Sequence, residues 1–327
     1  MNTKFIASSI QSYYSKNKIR GEFEQLWHFD DQTIKDTSHL VGINCMHKNK
    51  YCNRLPYDYN RVKIDWQKYK NSKKPENTKK IDEHESESNS YYNASFINFS
   101  DNQNENYIAA QGPLSENSYY QTENTSNSFL AMILDQKIDL IISVTNHCDK
   151  YYPDTENHNR FFEFIDKKIE VEIYDIKPID KSKKISINDQ VQIEFDILVD
   201  DQYQRRVTLL HYKTWPDYGV PEEVFPVKVF LNAINETRRK LESDRFSEKD
   251  SIKTLVHCTA GIGRTGTIIC LDHVLSQIRD NLDTEIDVFE TVKKMRRQRM
   301  TMLEAREQYE FVYRFLMDFV RENSVGK

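Results

Sequence analysis

In the string TLVHCTAGIGRTGTII, residues 254–269, Cys258 and Arg264 stand six positions apart and enclose Thr259, Ala260, Gly261, Ile262 and Gly263. Three of the chain's eight glycines, Gly261, Gly263 and Gly266, fall within six residues here. Glycines let successive backbone N–H groups converge on one point, and a strand pattern before them with a helix pattern after them sets that point at a helix N-terminus, where the dipole favours an anion. The same field favours a thiolate, so Cys258 is expected to be a strong nucleophile at neutral pH. Arg264 supplies a planar fork for two phosphate oxygens. Thr265 brings a hydroxyl that can hydrogen-bond the sulfur as it leaves. A nucleophile, an anion cradle and a guanidinium on one turn are the parts of phosphoryl transfer through a cysteine.

Such a turn needs a strand to deliver Cys258 and a helix to begin just after it. Runs rich in β-branched and aromatic residues predict strands at 107–110, 140–144, 161–164, 169–174, 191–198, 207–212 and 254–257. Apolar stripes at helical spacing follow: Ile268, Leu271, Val274, Leu275 and Ile278, then Tyr309, Val312, Tyr313, Leu316, Phe319 and Val320. Near the N-terminus, Phe23, Leu26 and Trp27 predict a short helix that docks on the core. The fold class expected is α/β: one domain over 21–323, a highly twisted mixed sheet flanked by helices, with the phosphate-binding loop between a strand and a helix. Residues 1–20 read as an N-terminal extension. The charged stretch 71–90, with one aliphatic residue, cannot offset its ordering entropy and is expected to be a mobile insertion.

Composition narrows the partners. A net charge of −5 with interspersed signs argues against nucleic acid, so an anionic substrate needs a local positive site. No apolar run approaches the ~18 residues of a membrane span, and the first residues lack a signal-peptide core, so no membrane association is expected. Five cysteines without CxxC spacing suit a reducing, cytoplasmic setting better than disulfides or a metal site, and neither metal nor cofactor is expected.

Beyond this point the reading rests on resemblance. HCTAGIGRTG resembles the signature of the tyrosine-specific cysteine phosphatases, in which the matching cysteine attacks phosphorus and the matching arginine binds phosphate. TWPDYGVP, residues 214–221, resembles that family's mobile acid loop, with Trp215 as hinge and Asp217 as the acid that protonates the leaving phenolate and then deprotonates water. KNKYCNRLPYDYNRVKI, from residue 48, resembles its phosphotyrosine-recognition segment. There Tyr51 would stack on the substrate ring and set the pocket depth, and Asn53 stands where an aspartate often contacts the substrate backbone. YYNASFI, NYIAAQGPL and MRRQRMTMLEAREQYEFVYRF are similar to three further landmarks, in family order. The resemblance implies hydrolysis of phosphotyrosine in proteins, non-receptor type.

The chain also departs from that pattern. Glu304 stands where the family usually has a glutamine that positions water, and a carboxylate beside a phosphocysteine would either hold a proton or slow its hydrolysis. Gln308 matches a second family glutamine that could place the water instead. VTNHCDKYYP, before and around Tyr151, is shorter than the family loop that carries an arginine-orienting glutamate. Thr301 replaces a frequent glycine and is expected to narrow the pocket entrance. Glu304 and the short loop are the grounds for an alternative, a slow domain that binds or traps phosphotyrosine. Abbreviated versions of this kind resemble the phosphatases of insect-associated, polydnavirus-like viruses, which would place the chain in host-cell cytoplasm.

Overall fold

The computed structural model describes residues 16–70, 83–99, 106–114, 122–145, 159–182, 184–216, 219–244, 251–281 and 285–325. Its strands are β1 (Arg61–Lys63), β2 (Tyr91–Asn98), β3 (Asn106–Gln111), β4 (Leu140–Val144), β5 (Asn159–Phe164), β6 (Lys167–Pro178), β7 (Gln190–Val199), β8 (Gln202–Tyr212) and β9 (Thr254–Cys258). Its helices are α1 (Lys16–Asp36), α2 (Leu40–Asn44), α3 (Glu83–Asn89), α4 (Ser126–Asp135), α5 (Phe225–Asp244), α6 (Gly263–Asp280), α7 (Val288–Gln298) and α8 (Arg306–Val325).

The strands form one mixed sheet in the order β1-β2-β3-β9-β4-β8-β7-β6-β5. Its centre is parallel: β3 and β4 flank β9, and β8 continues beside β4. Parallel strands at the middle of a sheet are covered on both faces, which is why β4 and β9 are buried throughout and read as continuous apolar runs. Alternate residues go to opposite sides. Ile142, Val144 and Val256 join a core closed by α1, α5, α6, α7 and α8, while Ile141 and Leu255 join one closed by α4 and the turn at 66–69. Because β3, β4, β8 and β9 point the same way, the segments leaving their carboxyl ends gather at one edge, where ligands of open α/β sheets bind.

Two strands exceed the sequence expectation, β1 and β2. β2 was hard to read because Asn93 and Ser95, both buried, interrupt its apolar pattern; both serve a buried guanidinium described below. The N-terminal helix is longer than expected. Leu26 is buried, but Trp27 is 47% exposed with its ring beside that of Phe23, so it is no part of the docking face. Within the charged insertion, residues 83–89 form α3. Glu83 and Glu85 suit its first turn, and Lys48 Nζ and Asn44 Nδ2 fasten its end through Ser88 O (2.5 Å) and Glu87 (3.1 Å). Residues 71–82, and 1–15 of the N-terminal extension, lie outside the described residues.

Between α7 and α8, Thr301 (φ +55°) and Leu303 (φ +54°) adopt left-handed backbone. That conformation explains a glycine preference at 301 better than pocket width does: Thr301 is buried and does not border the site cavity. Its hydroxyl also finds no hydrogen-bond partner among the described residues. A β-branched residue in this region is strained, so Thr301→Gly is expected to stabilise the fold by about 1 kcal/mol, raising the melting temperature by about 2 °C. A lower denaturant midpoint in the variant would show that the lost packing outweighs the relieved strain.

Candidate active site

β9 ends at Cys258, and the chain turns through 259–262 before α6 begins at Gly263. Gly261 has φ +73°, and a Cβ there would lie 2.1 Å from the Ala110 carbonyl oxygen, so only glycine fits. Gly263 leaves room for Gln308, whose Nε2 would be 2.8 Å from an added Cβ. Ile262 turns its side chain into the core, and no side chain caps α6, which leaves its first N–H groups for a ligand.

Beneath the turn lies Arg299, 1% exposed. It donates to the carbonyls of Gly261 (Nε, 2.8 Å) and Ala260 (Nη2, 3.1 Å), and to Asn93 Oδ1 (2.8 Å) and Ser95 Oγ (3.2 Å). Holding those carbonyls downward turns the peptide N–H groups of the loop toward the opposite side. Burial lowers the Arg299 pKa to about 10, which still leaves it cationic at neutral pH, under the anion cradle.

The Cys258 sulfur accepts the Gly261 N–H at 3.3 Å. Burial pushes the thiol up, but Arg264, the hydroxyl and amide of Thr265 and the Gly261 amide together hold it below its ordinary value. The Thr265 hydroxyl is fully buried and forms no hydrogen bond of ordinary geometry among the described residues. A donor with no other acceptor turns toward the sulfur as charge develops there. His257 is held down to about 3, mainly by burial, and so is neutral; its Nδ1 lies 3.3 Å from the Cys258 carbonyl. Arg264, 6% exposed, donates from Nη2 to Thr259 Oγ1 (2.9 Å) and from Nη1 to the Trp215 carbonyl (3.4 Å). Trp215 is itself pinned, through Nε1 to Gly219 O (3.2 Å) and by edge contacts with Tyr212 and Phe311. Asp217 lies outside the described residues, as does 146–158 with the shortened loop.

Above the turn is a cavity of about 240 Å³. Cys258, Thr259, Ala260, Gly263 and Arg264 form its floor, and Lys50, Tyr51, Asn53, Arg54, Glu304 and Gln308 its walls. Gln111, the last residue of β3 and the register partner of Cys258, ties wall to floor. Its Oε1 accepts from Lys50 N (2.9 Å) and its Nε2 donates to Lys48 O (3.1 Å). Opposite, Arg54 grips Glu304 Oε1 with Nε (2.9 Å) and Nη2 (2.5 Å), and Gln308 Oε1 accepts from Ala305 N (3.2 Å). A larger cavity, about 410 Å³, opens at the other end of the central strands. Arg205–Asp139 and Lys68–Asp135 ion pairs already occupy it, and no cysteine is among its lining residues.

A buried sulfur of lowered proton affinity at a glycine turn, with an aromatic residue on the cavity wall, fits the protein-tyrosine phosphatase family, whose model matches residues 45–318. The chain belongs to that family. Receptor-type tyrosine-protein phosphatase zeta of Rattus norvegicus is 28% identical over 336 residues, 97% of this chain. Tyrosine-protein phosphatase corkscrew of Drosophila virilis is 34% identical over 235 residues, 69% of the chain, and receptor-type tyrosine-protein phosphatase C of Mus musculus 31% over 300 residues, 89% of the chain. The chain spans 13%, 28% and 19% of the lengths of these relatives. Among the described residues, no helix is long and apolar enough to cross a membrane.

In this protein-tyrosine phosphatase family member, Cys258, Thr259, Ala260, Gly263 and Arg264 line one cavity with Tyr51, Asn53, Glu304 and Gln308, whereas Gly261, Ile262 and Thr265 do not border it. Three contributors escaped sequence reading. Arg299 carries no periodic signal within MRRQRM, Gln111 sat unnoticed inside NYIAAQGPL, and Arg54 gives Glu304 a counterion from 250 positions away.

Proposed function

We propose that this domain hydrolyses phosphotyrosine in proteins through a phosphocysteine on Cys258. The observation that carries the reading is a buried sulfur with lowered proton affinity that accepts the Gly261 N–H at the uncapped start of α6, with Arg264 beside it. In the first step the thiolate attacks phosphorus, an S–P bond forms and the P–O bond to the tyrosyl ring breaks. Asp217 gives its proton to the departing phenolate while the Arg264 fork and the loop amides hold the equatorial oxygens. In the second, water attacks phosphorus, Asp217 takes its proton and the S–P bond breaks. The Thr265 hydroxyl then hydrogen-bonds the sulfur, and orthophosphate departs. Tyr51 stands on the wall, where an aromatic ring selects an aryl phosphate and a deep pocket excludes the shorter phosphoserine. Phosphotyrosine-bearing proteins are thus the proposed substrates. A thiolate that works only while reduced supports a cytoplasmic place of action. The Arg54 counterion removes the electrostatic ground for a domain that binds without turning over.

A time course of phosphate release from a phosphotyrosine peptide, with and without vanadate, tests the proposal; absence of vanadate-sensitive release would sink it. Within it, Asp217→Ala is expected to lower turnover of phosphotyrosine by about 10²-fold or more, with much less effect on aryl phosphates whose leaving groups need no proton. An equal fall on both would mean a structural defect.

A further inference from the structure

The Arg54–Glu304 pair is built at the mouth of the Cys258 cavity from two rigid supports. Arg54 is anchored at both ends of its backbone: its N–H donates to Tyr51 O (3.3 Å) and its carbonyl accepts from Asn93 Nδ2 (2.9 Å). Its guanidinium is tied as well, since Nη1 donates to Asn53 O (2.9 Å) while Nε and Nη2 converge on one oxygen, Glu304 Oε1. On the other side, Arg296 fixes the approach to Glu304 by donating to the carbonyls of Met302 (2.9 Å) and Leu303 (2.8 Å), and is itself paired with buried Asp30 (2.6 Å).

The geometry leaves Glu304 Oε2 without a hydrogen bond from any described residue, on a carboxylate that borders the cavity and whose charge is compensated through its other oxygen. An ionised carboxylate only accepts. Gln308 is the complement. Its Oε1 is taken by the Ala305 N–H, which identifies the other end as Nε2, a donor close to Gly263 at the cavity floor. One acceptor and one donor facing the same small space fit a single water, which would donate to Glu304 Oε2, accept from Gln308 Nε2 and keep a lone pair for phosphorus.

We propose that Arg54 is a positioning residue for hydrolysis of the phosphocysteine. By holding Glu304 as a compensated acceptor it orients the attacking water, so the two residues act as one unit. The inference rests on the phosphotyrosine hydrolysis proposed above. Without Arg54, the bare carboxylate would face the phosphoryl oxygens and repel them. Glutamine at 304 removes that charge, so Glu304→Gln should rescue a variant that lacks Arg54.

The experiment is a double-mutant cycle on the full chain, with p-nitrophenyl phosphate followed by stopped flow and into steady state: wild type, Arg54→Ala, Glu304→Gln and the double variant. Arg54→Ala is expected to lower the steady-state rate about 10-fold while the burst rate stays within about 2-fold and the burst amplitude rises toward one nitrophenolate per site. Glu304→Gln alters the water site itself, so its own rate serves as the reference, and in its background Arg54→Ala should change the rate less than about 2-fold. Arg54→Lys, which keeps the charge and the aliphatic stem, covers the case in which the alanine variant does not fold; it should show the same loss in smaller measure and the same rescue. Equal loss in both backgrounds, no loss, or a change in KM alone would overturn the proposal, the last pointing to substrate recognition by Arg54. A wild-type chain with no turnover, indistinguishable from Cys258→Ser, would instead sink the parent reading and this one with it.

Discussion

Cys258→Ser is expected to lower phosphate release by at least ~10⁴-fold while the protein stays folded and still binds a phosphotyrosine peptide. The thiol can act because Arg264, Thr265 and the Gly261 amide overcome the opposing effect of burial and favour its anion. A serine hydroxyl starts from a far higher proton affinity, and the same groups cannot bring it into range. His257 does not compensate: it is adjacent in sequence, but it is neutral, fully buried and turned to the Cys258 carbonyl. The cradle should persist, because a serine oxygen can accept the Gly261 N–H that the sulfur accepts, and the Arg299 contacts do not involve sulfur. Phosphate release and calorimetric binding measured on the same preparation check both halves. Turnover within a few-fold of wild type would end the nucleophile assignment. In the wild-type chain, alkylation by iodoacetate should persist below the pH at which an ordinary thiol stops reacting, and Cys258→Ser should abolish it.

Arg264→Lys should cost about 10²–10³-fold in kcat, even though the positive charge is kept. The guanidinium does two things from one plane. It bonds Thr259 Oγ1 and the Trp215 carbonyl, which aligns it in the cavity, and on the proposed mechanism it would present a flat edge to the equatorial oxygens. An ammonium group on a flexible stem offers a point charge and cannot do both. It would still favour the thiolate, so the Cys258 alkylation profile should move little while the phosphoryl-transfer step falls. A loss confined to KM, with the burst rate unchanged, would show that Arg264 binds substrate and transition state alike.

How much of this was legible in the sequence depended on whether the constraint was local. Gly261 announces its left-handed backbone and its close approach to Ala110, because no other residue tolerates either. Central strands such as β4 declare themselves because burial on both faces demands an unbroken apolar run. Features that depend on partners distant in the chain gave little signal. Asn93 and Ser95 look wrong for a strand until Arg299, some 200 positions later, is seen between them. Glu304 read as an unpaired liability because nothing near it in the chain suggests Arg54. Trp27 fell on the expected stripe, yet the helix turns it outward, since periodicity gives spacing and not the width of the buried face. The departure at Thr301 was visible, but its cause is backbone geometry and not a narrowed pocket.

The support beneath the loop also bears on how such a protein changes over generations. A floor fixed from below by a buried guanidinium is expected to read little more than a tetrahedral oxyanion. On the proposed activity, discrimination between one phosphorylated protein and another would fall to the walls, and these come from Lys50–Arg54 and from Glu304 and Gln308, coded far from Cys258 or on its other side. Drift in the wall segments can exchange one set of targets for another while the reaction is inherited intact.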